Sequence, residues 1–185
     1  MLVEVRWHGR GGQGIVTVSR LLAYAALLDG KYVQAFPEFG PERRGAPVTG
    51  YTRISDEPIS IHSHIYTPNI VVIVDPTLIG TVDVTGGLVQ DGTIVANTEK
   101  NVAELKHALK AEKAKVYTVN ATRIALDVLG RPIYNTAMLG ALVKASPLVT
   151  LNSLDKVVKE RFPGAVGEKN VAVIKRAYEE ATDVE

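Results

Sequence analysis

Two stretches of the 185-residue chain combine residue types and spacing that can do chemistry. The first is Gly9-Arg10-Gly11-Gly12-Gln13-Gly14. It follows the apolar-rich segment Leu2–Trp7, which reads as a strand, and opens Ile15–Leu28, which reads as a helix. Amides at a helix start lack intrahelical acceptors and sit at the positive end of the dipole, so they favour an anion. Glycines let a phosphate or carboxylate approach the backbone closely. The second stretch is Pro37–Pro47, PEFGPERRGAP, which gathers Glu38, Glu42, Arg43 and Arg44. Three prolines and two glycines exclude regular structure there and stiffen the loop that carries the charges. Adjacent guanidinium groups suit bidentate contacts with carboxylate or phosphate. A solvated loop or an internal Glu–Arg network is the plainer reading of the same residues.

The glycine spacing satisfies G-x-G-x-x-G, a dinucleotide fingerprint. That reading needs an acid at the end of the second strand, about 20 residues on, to hold a ribose. The second strand, Tyr32–Phe36, places Gln34 near that point, and Asp29 precedes it. No Gly-Lys-Ser/Thr follows, so the turn is not a P-loop. A tight packing turn without a ligand is the alternative.

The elements that must position these residues follow from periodicity. Gly30 ends the first helix. Val48–Ile54 and Pro58–His62 read as antiparallel strands joined by a short loop. Ile70–Val74 (IVVIV) has the composition of a strand buried on both faces. Thr93–Ala96 and Lys115–Val119 are further strands, with an amphipathic helix marked by Val102, Leu105 and Leu109 between them. Asn120 caps a helix that Gly130 ends. The last third is helical: Thr136–Ala145 with small residues for close packing, a helix capped by Asn152, and a last one marked by Val171, Ile174 and Tyr178. The expected fold is α/β and three-layered, with helices on both faces of a mixed, mostly parallel sheet that is open or partly closed. Residues 1–185 read as a single domain.

Composition narrows function. With 21 basic and 20 acidic residues the net charge is +1, which disfavours a nucleic-acid binder. No apolar run is long enough to span a bilayer. There is no cysteine, hence no disulfide, no thiol nucleophile and no thiolate ligand for an iron–sulfur cluster. A cytoplasmic setting fits that composition. His62 and His64 share one face if their segment is a strand, but no third metal ligand is apparent. Asp75 before Pro76 lies where open α/β sheets bind ligands, and is also a turn-forming residue. No complete catalytic set and no metal site is read from the chain.

The ordered set GRGGQG, FPEFGPERRGAPV, YTRIS, a buried strand ending in Asp75-Pro76, and Asn135-Thr136-Ala137-Met138-Leu139-Gly140-Ala141 resembles the gamma subunit of 2-oxoacid:ferredoxin oxidoreductases of the pyruvate type, across essentially the whole chain. The resemblance implies a multi-subunit enzyme that turns pyruvate and coenzyme A into acetyl-CoA and CO2 and passes electrons to ferredoxin. It implies alpha, beta and delta partners that carry thiamine diphosphate, magnesium and 4Fe-4S clusters, with no cofactor held by this chain alone. It further implies a role in assembly and coenzyme A access. Gly9, Gly11, Gly12, Gln13, Gly14, Glu42, Arg43 and Arg44 are the candidate positions for coenzyme A or a subunit interface. Alternatives are a gamma subunit for another 2-oxoacid, a stand-alone nucleotide-binding or regulatory module, and a purely structural assembly subunit.

Overall fold

The computed structural model describes residues 1–38 and 43–184. Six strands form one open sheet: β1 (Leu2–Arg10), β2 (Tyr32–Pro37), β3 (Pro47–Ser55), β4 (Ile70–Ile73), β5 (Thr93–Asn97) and β6 (Lys115–Val119), in the order β2-β3-β1-β4-β5-β6. β1, β4, β5 and β6 run parallel, and β3 lies antiparallel between β1 and β2. The sheet is mixed as expected, but for another reason. Pro58–His62 is not a strand. β3 finds its antiparallel partners in β1 and β2, and the segment after it crosses the sheet face instead. Arg53 holds it there, donating to the carbonyls of Ser63 (2.7 Å) and His64 (3.2 Å).

The helices are α1 (Ile15–Leu28), α2 (Val102–Leu109), α3 (Ala121–Leu129), α4 (Asn135–Ala145), α5 (Leu151–Arg161) and α6 (Ala165–Glu180). They cover the two faces unequally. Val5, Trp7, Val72, Val74 and Val95 point into a large core with residues of α1 and α3 to α6. Val71, Ile73, Ile94 and Val116 point the other way, into a smaller core under α2, Leu78 and Val84. β4 contributes to both cores, which is why its four residues are all apolar. α1 and α4 lie on the sheet, and α5 and α6 pack outside them.

Gly140 lets α4 and α6 meet backbone to backbone. A Cβ built on it would collide with the Ile174 carbonyl oxygen. Asn120 caps α3 by accepting from the Arg123 amide at 3.0 Å, and Gly130 closes it in the left-handed conformation. α5 is capped by Thr150 and not by Asn152. Thr150 accepts from the Ser153 amide while its own amide and hydroxyl donate to Asp29, which ties α5 to the end of α1. The C-terminal segment seals part of one sheet edge through reciprocal backbone bonds between Thr118 and Thr182. No helix among the described residues is long and apolar enough to cross a membrane.

Candidate functional site: a cavity at three helix starts

β1 runs further than its apolar run suggests, so Gly9 and Arg10 are strand residues paired with Val48 and Pro47. The turn proper is Gly11–Gly14. Gly12 and Gly14 take positive φ angles, 90° and 71°. The turn is stitched to the arginine loop through backbone: the Gly11 amide donates to the Ala46 oxygen (2.8 Å), and the Gly45 amide donates to the Gly11 oxygen (3.0 Å). Arg43 and Arg44 therefore do sit beside the glycine turn, with the Arg44 side chain over Gly12. Glu42 lies outside the described residues.

Beyond the turn opens a cavity of about 510 Å³. Gly12, Gln13, Gly14 and Thr17 form one wall, Arg131 to Asn135 a second, and Arg161, Phe162, Val166, Lys169 and Asn170 a third. These walls contain the starts of α1, α4 and α6. None of the three has a side-chain cap, whereas Asn101, Asn120 and Thr150 cap α2, α3 and α5. The uncapped first turns leave backbone N–H groups and positive dipole ends at one cavity. Arg131, Arg161 and Lys169 add positive charge, and Leu129, Ile133, Phe162 and Val166 add apolar surface. Such a lining suits an anionic ligand with a flat or apolar part. Gly9, Gly11, Arg43 and Arg44 are not among the lining residues. Arg131, Tyr134, Arg161, Lys169 and Asn170 were not found from sequence. Each looks there like an ordinary helix-end or surface residue; Asn135, like Gly12 to Gly14, belonged to a recognised motif.

Behind the turn, polar side chains lock its shape. Gln13 Oε1 accepts from the Arg10 amide (2.7 Å), and Gln13 Nε2 donates to Asp75 Oδ2 (2.5 Å) and to the Tyr134 hydroxyl (3.1 Å). Asp75, just past β4, also accepts from the amide and hydroxyl of Thr77, so it is both a turn residue and a partner of the glycine turn. Its burial raises the carboxyl pKa, but hydrogen bonds from Thr77 and Gln13, with the charge of Arg10, outweigh burial and hold it below the usual range. Arg10 Nε lies 3.4 Å from Asp75, and Arg10 also donates to Thr77 and to the Gly45 oxygen. Tyr134 has its pKa raised by burial and by Asp75, so its hydroxyl stays protonated at neutral pH.

On the opposite sheet face, His8 accepts from Arg6 Nε (2.9 Å), and Arg6 donates to the Val84 and Gly86 oxygens (3.1 and 2.6 Å). Burial and the neighbouring Arg6 lower the His8 pKa to about 4, so it is a neutral acceptor that helps hold the 82–87 segment. His62 and His64 are not on a strand, and His64 stacks on Tyr51 with ring centroids 5.5 Å apart. Among the described residues no group of three His, Asp or Glu is placed to hold a metal.

The site is thus an anion-receptive cavity at the carboxyl ends of the parallel strands, in an open mixed α/β sheet. It is not a dinucleotide fold of the usual kind, because β3 separates β1 from β2 and Gln34 is engaged by Arg53 and the Ile61 oxygen. Residues 4–180 match the model of the pyruvate ferredoxin/flavodoxin oxidoreductase family, and the chain belongs to that family. It is 53% identical over 178 residues to the Pyrococcus furiosus pyruvate/ketoisovalerate oxidoreductases common subunit gamma, covering 96% of both chains. It is 51% identical to the Methanothermobacter marburgensis pyruvate synthase subunit PorC, covering 96% of this chain and 97% of that one. The crystal structure of the pyruvate oxidoreductase subunit PorC from Thermotoga maritima superposes with a TM-score of 0.88 at 40% identity, covering 98% of this chain and 97% of that one.

Proposed function

We propose that the chain is the gamma subunit of a pyruvate:ferredoxin oxidoreductase, and that residues 1–185 act in it as one domain that receives coenzyme A. The carrying observation is the convergence of three uncapped helix starts and three basic side chains on one cavity. Coenzyme A offers phosphates for the amides, Arg131, Arg161 and Lys169, and an adenine for the apolar surface around Phe162. Gly12 to Gly14 form part of one wall of this site. Arg43 and Arg44 lie beside that wall, where they meet the ligand or a neighbouring subunit, and Glu42 is a candidate for the same contact.

In this reading the carbon chemistry and electron transfer belong to alpha, beta and delta subunits, which carry thiamine diphosphate, magnesium and 4Fe-4S clusters and hand electrons to ferredoxin. The chain's own residues support that division, since it has no cysteine to ligate a cluster. The lack of disulfides is in keeping with the cytoplasm. A specific observation favours one extension. The Pyrococcus relative is named as a subunit common to two oxidoreductases. The same chain would then serve complexes for pyruvate and for a branched-chain 2-oxoacid.

Kinetics of the assembled complex test the proposal. Arg131→Ala with Lys169→Ala, and separately Arg43→Ala with Arg44→Ala, should each raise the KM for coenzyme A by about tenfold or more, the loss expected for charge-assisted hydrogen bonds. Unchanged coenzyme A kinetics in intact complexes would overturn it. Assaying the purified complex with pyruvate and with branched-chain 2-oxoacids decides its substrate range.

A further inference from the structure

We propose that Asp75 and Gln13 are positioning residues that set the direction of a hydrogen-bond relay ending on Tyr134, and that the Tyr134 hydroxyl donates a hydrogen bond to the bound ligand. The inference rests on the cavity being the coenzyme A site.

The polarity of the relay follows from chemistry alone. An ionised carboxylate accepts and cannot donate. Asp75 therefore turns the amide end of Gln13 toward itself, and the carbonyl end of Gln13 toward the Arg10 amide. The second N–H of Gln13 is then aimed at the Tyr134 oxygen. That leaves the Tyr134 proton without an acceptor among the described residues, on a residue that lines the cavity. A donor in this place, beside the starts of α1 and α4, is complementary to an anionic oxygen. The relay also joins three separate pieces of chain: the end of β4, the glycine turn, and the residue that precedes α4. Asp75 touches no ligand in this arrangement. It acts by fixing which way Gln13 and then Tyr134 point.

The test compares Tyr134→Phe, Asp75→Asn, the double variant and Lys169→Ala in the assembled oxidoreductase, reading KM for coenzyme A and kcat at saturating coenzyme A. Tyr134→Phe keeps the ring and removes the hydroxyl, which is both the donor to the ligand and the acceptor of Gln13 Nε2. It should raise KM about tenfold and leave kcat within about twofold, the effect of one hydrogen bond to a charged group. Asp75→Asn frees Gln13 to turn over and should move KM in the same direction. The double variant should be no worse than the more affected single one, because both changes remove the same interaction. If Lys169→Ala raises KM while Tyr134→Phe does not, the relay is wrong and the cavity assignment stands. Additive losses in the double variant also overturn the relay. If none of the variants changes KM, the cavity assignment falls and the relay with it.

Discussion

Gly14 and Asn135 are in direct contact across 121 residues of chain: Asn135 Nδ2 donates to the Gly14 oxygen at 3.3 Å, and a Cβ on Gly14 would strike the same nitrogen. The contact fixes the start of α1 against the start of α4. It separates two glycines that look equivalent in sequence. Gly14→Ala must both strain a positive φ and push Asn135 away, and should cost about 2–4 kcal/mol in urea unfolding. Gly12 also has positive φ, but the nearest atom to its Cβ position is Arg44 Cγ at 3.5 Å, an ordinary contact. Gly12→Ala should cost only about 1–2 kcal/mol, the strain of the left-handed backbone. Equal losses would contradict the geometry.

The buried His8 makes stability depend on pH. Its folded pKa, about 4, lies below the ordinary 6.5. The unfolded chain therefore takes up the proton first as pH falls. The contribution of the neutral imidazole is fully present above about pH 6.5 and is lost progressively toward pH 4, on the order of 3 kcal/mol in total. His8→Gln keeps an acceptor for Arg6 and should flatten the pH dependence of unfolding between pH 7 and 5. A variant as pH-sensitive as the parent would place the effect elsewhere.

Arg53 is 1% exposed and donates to Glu4 at 2.7 Å, to Gln34, and to the carbonyls of Ser63 and His64. Glu4→Gln removes the countercharge of a buried cation and should cost about 3–5 kcal/mol. Arg53→Met exchanges the ion pair for apolar surface but strands Glu4 and releases the segment that Arg53 holds. Limited proteolysis should then cut between residues 56 and 66 faster than in the parent chain.

Gly140→Ala should separate α4 from α6, because the added methyl meets the Ile174 carbonyl and no side chain can yield. A loss of about 3 kcal/mol or more, seen as a lower Tm, is expected. Ala141→Gly, one residue on, should cost about 1 kcal/mol from helix propensity, plus the small packing loss of one buried methyl.

These cases show where sequence reading works and where it stops. The bounds of α1 and the capping of α3 by Asn120 and Gly130 follow from local backbone chemistry, which a short window contains. The buried strand β4 is legible because burial on both faces leaves only apolar residues. Pro58–His62 was misjudged because alternating apolar residues also suit a strap across a sheet, and the decisive partner, Arg53, is fixed only by the tertiary fold. Thr150 rather than Asn152 caps α5 because Asp29, remote in sequence, holds it in place. The glycine turn and the arginine loop were each visible as motifs, whereas the backbone bonds that join them were not. The cavity was not, since Arg131 and Lys169 acquire meaning only when three helix starts are brought together.

The cavity draws its walls from residues 12–17, 129–135 and 161–170. During synthesis the first wall leaves the ribosome more than a hundred residues before the last, and no shorter piece of the chain contains a whole site. Closing such a distant set of contacts is entropically slow compared with forming its helices. A ligand in this cavity therefore binds only the finished molecule and stabilises it by mass action. Occupancy would then report that folding is complete, because a chain that has not closed its last helix lacks the third wall.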